Sequence, residues 1–198
     1  MIFEYLKLNI NLSDDEFNAI YPEWIRNLAR RHWTPLSVIK QTVNYLVPTS
    51  GTRVLDIGSG PGKFCMVGAT CSKGYFTGVE QRKNLVDVSN KLSRSYRIKN
   101  VDFIHSNITS IKFSDFDAFY FFNPFQENID QSAKIDSSVD VSKELYEKYN
   151  EYICGQFAIA PVGTRIVTYW SSMKEIPTNY QLKHSFFGGM LKYWEKID

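Results

Sequence analysis

The sequence has 198 residues, of which 43% are hydrophobic and 15% aromatic, and its formal net charge is +2. This composition excludes a disordered chain, and the length suits one domain with a small N-terminal extension. The small net charge provides no strong attraction to nucleic acids or membrane surfaces, so neither is indicated as a partner. No stretch approaches the roughly 18 consecutive apolar residues of a membrane-spanning helix, so we expect no membrane segment.

The cysteines and the first residues both favour the cytoplasm. Cys65, Cys71 and Cys154 are odd in number and lack the spacing of zinc ligands, which predicts reduced thiols and no metal site. The N-terminus has neither the basic start nor the long apolar run of a secretory signal peptide. We therefore expect a cytoplasmic protein.

Residues 1–50 are predicted to be helical and to form a cap or extension in front of a second unit at residues 51–198. Ser13 is a suitable N-cap, Pro22 suits the first turn of a helix, and Thr34-Pro35 begins a third helix. Apolar residues then recur at helical spacing, at Leu36, Ile39, Val43 and Leu46.

A small basic group, Arg26, Arg30, Arg31 and His32, lies in this helical region. Two interpretations stay open at this point. The group can be an ordinary solvated helix face, which is the commoner case, or it can contact an acidic substrate.

Residues 54–64 hold the feature most informative about function. A short apolar strand at 54–57 is followed by Gly58, Gly60 and Gly62, and a new apolar pattern begins at Phe64. Glycines at alternate positions let the backbone adopt positive φ and let a ligand approach the main chain closely. Strand, glycine turn and helix N-terminus together predict a nucleotide-type binding cradle at the carboxyl end of a parallel strand.

The glycine spacing and the preceding acid indicate which kind of nucleotide fits this cradle. The spacing is Gly-x-Gly-x-Gly, whereas the dinucleotide fingerprint is Gly-x-Gly-x-x-Gly, and the P-loop pattern is absent. Asp56, two residues before the first glycine, would repel a pyrophosphate. It suits a cationic ligand with a sulfonium and an ammonium group.

The next predicted strand, residues 75–80, ends in Glu80. In nucleotide-binding α/β folds, an acid at this strand end accepts hydrogen bonds from the ribose hydroxyls. The alternative is a simple strand-end charge, which the spacing to the glycine turn disfavours. A third strand is predicted at 101–105.

The most apolar run, residues 116–122, is predicted to be the central strand. It must end at Asn123, because Pro124 has no amide hydrogen for a further ladder bond. The Asn123 side chain and the Pro124 carbonyl are therefore expected at the carboxyl edge, where ligands bind in open α/β sheets. The polar stretch 126–142 is predicted to be a lid or substrate-binding loop.

The patterns in the remainder of the chain predict a helix, a strand and a C-terminal antiparallel hairpin. Residues 142–160 have an amphipathic helical pattern, and residues 164–170 form a fifth strand. Residues 180–194 are predicted to be a hairpin that turns at Gly188-Gly189.

Together with these elements, the sequence Asp-Ile-Gly-Ser-Gly-Pro-Gly at residues 56–62 resembles motif I of the class I S-adenosylmethionine (SAM) dependent methyltransferases. The resemblance extends over about residues 34–195. It implies an α/β fold with a doubly wound, mostly parallel seven-stranded sheet and a C-terminal antiparallel hairpin, preceded by N-terminal helices. It also implies SAM as the cofactor.

The resemblance assigns cofactor contacts by position in the motif. The implied contacts are Gly58, Gly60 and Gly62 for the methionine part, Asp56 for its amino group, Glu80 with the adjoining Gln81 for the ribose, and Asn107 with Ile108 for the adenine. Asn107 stands where the family usually has an acid, and its amide oxygen can still accept a hydrogen bond from an adenine amino group.

Asn123-Pro124-Phe125 is similar to the Asn/Asp-Pro-Pro-Tyr/Phe motif of amine and amide methyltransferases. The similarity implies that the Asn123 oxygen and the Pro124 carbonyl accept hydrogen bonds from the target NH₂ group, with Phe125 packing against the acceptor. The second proline of the motif is absent here, which disfavours methylation of an adenine-type base.

These features predict methyl transfer from SAM to a nitrogen, or alternatively an oxygen, of an acceptor such as a protein lysine or a small amine. A non-catalytic SAM-binding scaffold stays open, because its binding residues would be the same. A nicotinamide-dependent oxidoreductase is disfavoured by the glycine spacing, by Asp56 and by the C-terminal hairpin. Neither the acceptor nor the oligomeric state follows from the sequence.

Overall fold

A seven-stranded sheet organises the computed structural model. The structure describes residues 1–130, 132, 134–171 and 173–198, and the side chains of Arg30 and Arg31 lie outside the described part. The strands are β1 (Arg53–Ile57), β2 (Tyr75–Glu80), β3 (Val101–His105), β4 (Ala118–Phe122), β5 (Arg165–Tyr169), β6 (Tyr180–Phe186) and β7 (Leu191–Lys196). They lie in the order β3-β2-β1-β4-β5-β7-β6, and this sheet confirms the predicted fold class.

Eight α-helices are described, five of them before the first strand. They are α1 (Ile2–Lys7), α2 (Asp14–Asn18), α3 (Glu23–Arg26), α4 (Ala29–His32), α5 (Leu36–Leu46), α6 (Lys63–Cys71), α7 (Lys83–Ser95) and α8 (Lys143–Ile159). Among the described residues, no helix is long and apolar enough to cross a membrane.

The parallel half of the sheet brings three strand ends to one edge. Strand β1 pairs with β2 on one side and with β4 on the other, so that Ile57 lies between Val79 and Phe121. The segments that leave these strands therefore all begin at the same edge of the sheet. Open α/β sheets bind their ligands in the crevice at this edge.

The C-terminal strands end the sheet in antiparallel order, as predicted. Strand β7 lies between β5 and β6 and runs antiparallel to both. The hairpin turns through a short 3₁₀ segment, Phe187–Gly189, in which Gly188 has a φ of 65° and Gly189 a φ of 91°. Glycine adopts such angles without the strain that a Cβ atom would cause.

The N-terminal helices share a hydrophobic core with one face of the sheet. Phe17, Ile25 and Leu36 belong to the same buried cluster as Val54 and Tyr120 of the central strands. The hydroxyl groups of Thr34 and Tyr120 share a buried hydrogen bond of 2.7 Å. The opposite face packs in a second cluster, which contains Leu55 and Ile57 of β1 and Ile153 and Phe157 of α8.

Local signals in the sequence explain several helix boundaries. Ser13 caps α2 with a reciprocal capping box to Glu16, as its N-cap prediction requires. Pro35 is the N-cap residue of α5, and Ser142 caps α8 by accepting a hydrogen bond from the Leu145 amide. The expected helices after Thr34-Pro35, after the glycine turn and after Ser142 are all present.

Candidate functional site

A cavity of about 700 Å³ opens at the carboxyl edge of β1, β2 and β4. This volume is in the range of small-molecule and cofactor sites, about 300–1,000 Å³. The predicted site residues on its wall are Gly58, Gly60, Glu80, Gln81, Ile108, Asn123, Pro124 and Phe125. Asp56, Gly62 and Asn107 do not line the cavity.

The glycine turn passes directly under the segment that follows β4. Gly58 has a φ of 75°, and a Cβ atom there would come within 2.4 Å of Pro124 Cβ. Gly60 has a φ of 52° and open space around the position of a Cβ. Gly62 packs instead against Phe103, whose ring would lie 2.5 Å from an added Cβ. Gly58 therefore allows the glycine turn and the Asn123-Pro124-Phe125 segment to meet at the cavity, and Gly60 leaves its backbone open to the cavity.

Glu80 ends β2 and holds its carboxylate between two backbone amides. Gly60 N donates to Oε2 at 3.1 Å, and Arg82 N donates to Oε1 at 2.9 Å. Burial raises the pKa of this carboxyl, and the two amide hydrogen bonds and the Arg82 charge act in the opposite direction. A carboxylate has about four acceptor positions, so capacity remains for ligand hydroxyls.

A buried ion-pair cluster stands next to Glu80, and sequence reasoning missed it. The Arg82 guanidinium donates to both carboxylate oxygens of Glu127, at 2.8 and 2.7 Å, and through Nε to Asp136 at 3.0 Å. Arg82 Nη1 lies 4.0 Å from Glu80 Oε1. The side chain of Arg82 is only 3% exposed, so its charge is balanced by these acids rather than by water.

Asp56 lies in β1 and is buried. Its carboxyl accepts a hydrogen bond of 3.4 Å from the Cys65 thiol. Burial raises the pKa of Asp56 to about 7, and the hydrogen bond from Cys65 offsets part of this rise. The contact between Asp56 and a cofactor amino group, which the resemblance implies, stays a prediction.

Asn107 holds a turn and orients a neighbouring side chain. Its Oδ1 accepts from Thr109 N at 3.0 Å and from Thr109 Oγ1 at 2.9 Å, which occupies both lone pairs. Its Nδ2 donates to Gln81 Oε1 at 3.1 Å and to the Tyr149 hydroxyl at 2.8 Å. The amide oxygen expected for adenine is thus in use, while Gln81 and Ile108 line the cavity.

Asn123 follows β4 with a φ of 37°, a conformation unusual for a residue with a side chain. Its Nδ2 donates to Gln126 Oε1 at 3.0 Å. Within the described part of the chain, no group donates to Asn123 Oδ1 or to the Pro124 carbonyl. Phe125 is buried between Phe121 and Tyr149 and forms part of the cavity wall.

The mouth of the cavity is formed by two distant parts of the chain. The N-terminal side contributes Leu28, His32, Trp33 and Pro35, and the ends of β4 and β5 contribute Phe122, Tyr169 and Trp170. The rings of Phe122 and Tyr169 lie 4.8 Å apart, and Trp170 is 55% exposed. The sequence indicated none of these aromatic residues as site residues, because strand-end aromatics have no distinctive spacing.

The described members of the basic group Arg26, Arg30, Arg31 and His32 do not share one environment. His32 lines the cavity mouth, and Arg26 is exposed on α3. The side chains of Arg30 and Arg31 lie outside the described part, so the two interpretations of this group are not resolved. The predicted loop at 126–142 does contribute to the cavity wall, through Glu127, Asp130 and Ile135.

Comparison with known proteins assigns the chain to a family. A family model described as a methyltransferase domain matches residues 48–184. No curated protein matches the chain.

The solved structures show the same fold at low sequence identity. TrmN from Thermus thermophilus has a TM-score of 0.62 and 18% identity, over 87% of this chain and 52% of that chain. This chain therefore spans about half the length of TrmN. An RNA methyltransferase from Salinibacter ruber in complex with S-adenosyl-L-homocysteine has a TM-score of 0.57 and 16% identity, over 84% of this chain and 94% of that chain. With the match to the family model over more than half of its length, the chain belongs to the SAM-dependent class I methyltransferases.

Proposed function

We propose that the cavity binds SAM and that the chain transfers the methyl group to a nitrogen, or alternatively an oxygen, of an acceptor held at Asn123. One observation carries the proposal. The Gly58 turn and the Pro124 segment meet with no room for a Cβ between them. The residues suited to the cofactor and those suited to the acceptor therefore line one cavity.

The described residues fit SAM chemically. The backbone of Gly58 and Gly60 is open to the cavity, and Ile108 supplies an apolar wall. Glu80 places an acceptor carboxylate where ribose hydroxyls would donate. Acids near the cavity also suit a ligand that carries a sulfonium and an ammonium charge.

The proposed cofactor roles differ from the sequence pattern at three residues, Gln81, Asn107 and Asp56. Glu80 accepts the ribose hydroxyls, and Gln81 and Ile108 contact the adenine. Asn107 acts as a positioning residue that orients Gln81, since its own amide is already fully used. Asp56 acts through its charge from behind the turn.

The molecule that receives the methyl group is positioned by two oxygen atoms that can still accept hydrogen bonds. When bound, SAM supplies an electrophilic methyl group that a nitrogen lone pair can attack in line. The hydrogen bond from Asn123 Nδ2 to Gln126 turns Oδ1 away from Gln126. Asn123 Oδ1 and the Pro124 carbonyl can then hold the two N–H groups of a neutral amine, which has given up its extra proton to solvent, and leave its lone pair free for alignment. The N–C bond would form as the S–CH₃ bond breaks, and SAH would be the leaving group.

We favour an amine acceptor, either a small amine or a protein lysine. The aromatic rings of Trp33, Tyr169 and Trp170 at the mouth can contact a cationic group, and Asp130 lies on the same wall. The Salinibacter ruber neighbour is described as an RNA methyltransferase, which makes RNA the alternative acceptor to include in an assay.

The first test measures ligand binding by calorimetry with SAM, S-adenosylhomocysteine (SAH) and NAD in parallel. We expect binding of SAM and SAH and none of NAD. Methyl transfer is then followed with radiolabelled SAM against three fractions of a cell lysate: small molecules, proteins and RNA. Label in amines or proteins supports the amine proposal, label in RNA replaces it, and SAH binding without transfer to any fraction supports the scaffold alternative.

Asn123→Ala tests the acceptor site. SAM affinity should stay within a few-fold of wild type, because Asn123 contacts the acceptor side of the cavity. Methyl transfer should slow by about 10²-fold or more, the scale expected for lost alignment of reactants. Asn100→Ala is a matched control, because Asn100 also has positive φ, 59°, and is exposed just before β3. Transfer at the wild-type rate by Asn123→Ala would reduce Asn123 to a turn residue.

A further inference from the structure

Arg82 is a buried cation in the cavity wall, and neither the glycine turn nor the Asn123-Pro124-Phe125 segment explains its presence. Its side chain is 3% exposed, and those of Glu80 and Glu127 are 8% and 10% exposed. A buried ion needs partners in the protein, since leaving it unpaired is strongly unfavourable. The hydrogen bonds from the guanidinium therefore fix the relative positions of the groups that it joins.

The partners of Arg82 lie on two separate parts of the cavity wall. Glu80 ends β2, whereas Glu127 and Asp136 belong to the segment that follows β4. The pairing with Glu127 is bidentate, a geometry that fixes orientation as well as distance. Glu127 in turn accepts a hydrogen bond from Ile135 N at 3.4 Å, and Asp136 accepts from Ser138 N at 2.9 Å.

The charges around Glu80 show what Arg82 does there. The acids whose charges act on Glu80 are Glu127 and, from β1, Asp56, and Asp136 is paired with Arg82. Among the described residues, Arg82 is the cation in contact with Glu80, Glu127 and Asp136. Without it, the buried carboxylates of Glu80 and Glu127 would repel each other in the same wall, and the pair would take up a proton that the two carboxyls share. A protonated Glu80 loses acceptor capacity for ligand hydroxyls.

We infer that Arg82 is a positioning residue of the cofactor cavity. It keeps the Glu80 carboxylate ionised and in place for ligand hydroxyls, and it fixes the Glu127 wall against β2. The inference rests on the proposed function in one respect, namely that SAM and SAH occupy this cavity. It adds a residue that acts on the cofactor through Glu80 and contacts no reacting atom.

The test measures SAH affinity by calorimetry between pH 6 and pH 8.5 for wild type and Arg82→Gln. The variant should bind SAH at least tenfold more weakly at pH 6, with much of the loss recovered at pH 8.5 as Glu80 ionises. Wild type should show only the smaller change that ionisation of Asp56, whose pKa is about 7, produces in both proteins. Lys83→Gln is the control, because Lys83 is the adjacent cation on the exposed side of α7 and pairs there with Asp87 at 2.6 Å.

A double variant separates charge from packing. Arg82→Gln combined with Glu127→Gln removes the repulsion between Glu127 and Glu80, so SAH should bind more tightly than to Arg82→Gln alone. A purely structural role predicts the reverse, because the second change removes more contacts. Circular dichroism and thermal unfolding of each variant verify that it is folded.

The outcomes distinguish this inference from the proposed function. If wild type binds no SAH, the proposed function fails and the inference fails with it. If wild type binds SAH and Arg82→Gln binds within twofold of it at every pH, only the inference is overturned. A pH-independent loss in Arg82→Gln with no recovery in the double variant also overturns it, and assigns Arg82 to structure alone.

Discussion

The contact between Gly58 and Pro124 makes the first glycine of the turn sensitive to an added methyl group. Gly58→Ala would place a Cβ atom 2.4 Å from Pro124 Cβ at a φ of 75°. The two loops must then separate at the cavity wall. We expect at least a tenfold loss of SAH affinity and a lower melting temperature, measured by calorimetry and thermal unfolding.

Gly51→Ala is the matched control for this prediction. Gly51 has a φ of 86° and nothing within 4 Å of the position of a Cβ. It therefore carries the same kind of backbone strain, about 1–2 kcal/mol, without a collision. Equal SAH affinities of the two alanine variants would show that the close approach of Gly58 to Pro124 has no effect on the site.

Asp56 should make stability depend on pH. Its pKa in the folded protein is raised to about 7 by burial, whereas in the unfolded chain it is about 3.9. Between about pH 4 and pH 7 the unfolded chain releases this proton and the folded protein keeps it. The free energy of unfolding therefore falls as pH rises through this window, and levels off above it.

Asp56→Asn removes this titration and keeps the shape of the side chain. The variant should gain stability relative to wild type as pH rises, by roughly 2 kcal/mol more at pH 8 than at pH 5. Urea denaturation at the two pH values measures the difference. A stability difference between variant and wild type that is the same at both would show that Asp56 is ionised in both folded and unfolded states.

The placement of individual candidate residues was predictable where the signal is local in the chain. Gly58, Glu80 and Asn123 stand at strand ends and turns, and the structure brings them to one cavity. Arg82 and Glu127 are separated by 45 positions, and no local pattern links a basic residue after one strand to an acid after another. The hydrogen bonds of the Asn107 side-chain amide could not be predicted either, because they depend on where the fold places Thr109 and Tyr149.

An ion pair between Asp14 and Lys63 joins α2 to α6. Lys63 begins α6 and is buried, with its Nζ 5.5 Å from the centre of the Phe17 ring and 5.7 Å from that of Trp33. Asp14 accepts a hydrogen bond from Lys63 Nζ and another from Leu36 N at 3.1 Å. One carboxylate thus connects α2, the N-terminus of α5 and the helix after the glycine turn.

Asp14→Ala should lower the free energy of unfolding by about 1–2 kcal/mol. The change leaves the buried Lys63 ammonium without its carboxylate and the Leu36 amide at the start of α5 without its acceptor. Urea denaturation measures the change. Asp15→Ala is the control, since Asp15 is exposed on the same helix. Adding Lys63→Met to Asp14→Ala should restore part of the loss, and a further decrease in the double variant would argue against the ion pair as the cause.

The elements themselves were largely predictable, because alternating and helical apolar patterns dominate this sequence. The central strand is an exception at its start, which lies at Ala118 rather than at residue 116. Asp117 accepts hydrogen bonds from the backbone and guanidinium of Arg53, so regular pairing with β1 begins one residue later. A side chain 64 positions away in the sequence determines this boundary, and no propensity contains that information.

The whole molecule combines the sheet with a helical N-terminal region in one core. Leu36, Ile39 and Val43 of α5 are buried in the cluster that contains Val54 of β1 and Phe64 of α6. The same N-terminal region contributes Trp33 and Pro35 to the cavity mouth. We therefore propose that residues 1–50 act as a cap that folds with the methyltransferase domain rather than as an independent unit.

If this cap is part of the binding site, SAH must stabilise both regions together. Hydrogen exchange should show slower exchange of amides in residues 28–36 when SAH is bound, together with those of the glycine turn. At a free SAH concentration of 100 times Kd, global stability should rise by about 2.7 kcal/mol. In urea, amides of α5 and β1 should lose protection at the same concentration, because they share buried contacts. Unchanged exchange in residues 28–36, or loss of protection in α5 well before β1, would show that the N-terminal helices are a separate unit that only lies beside the cavity.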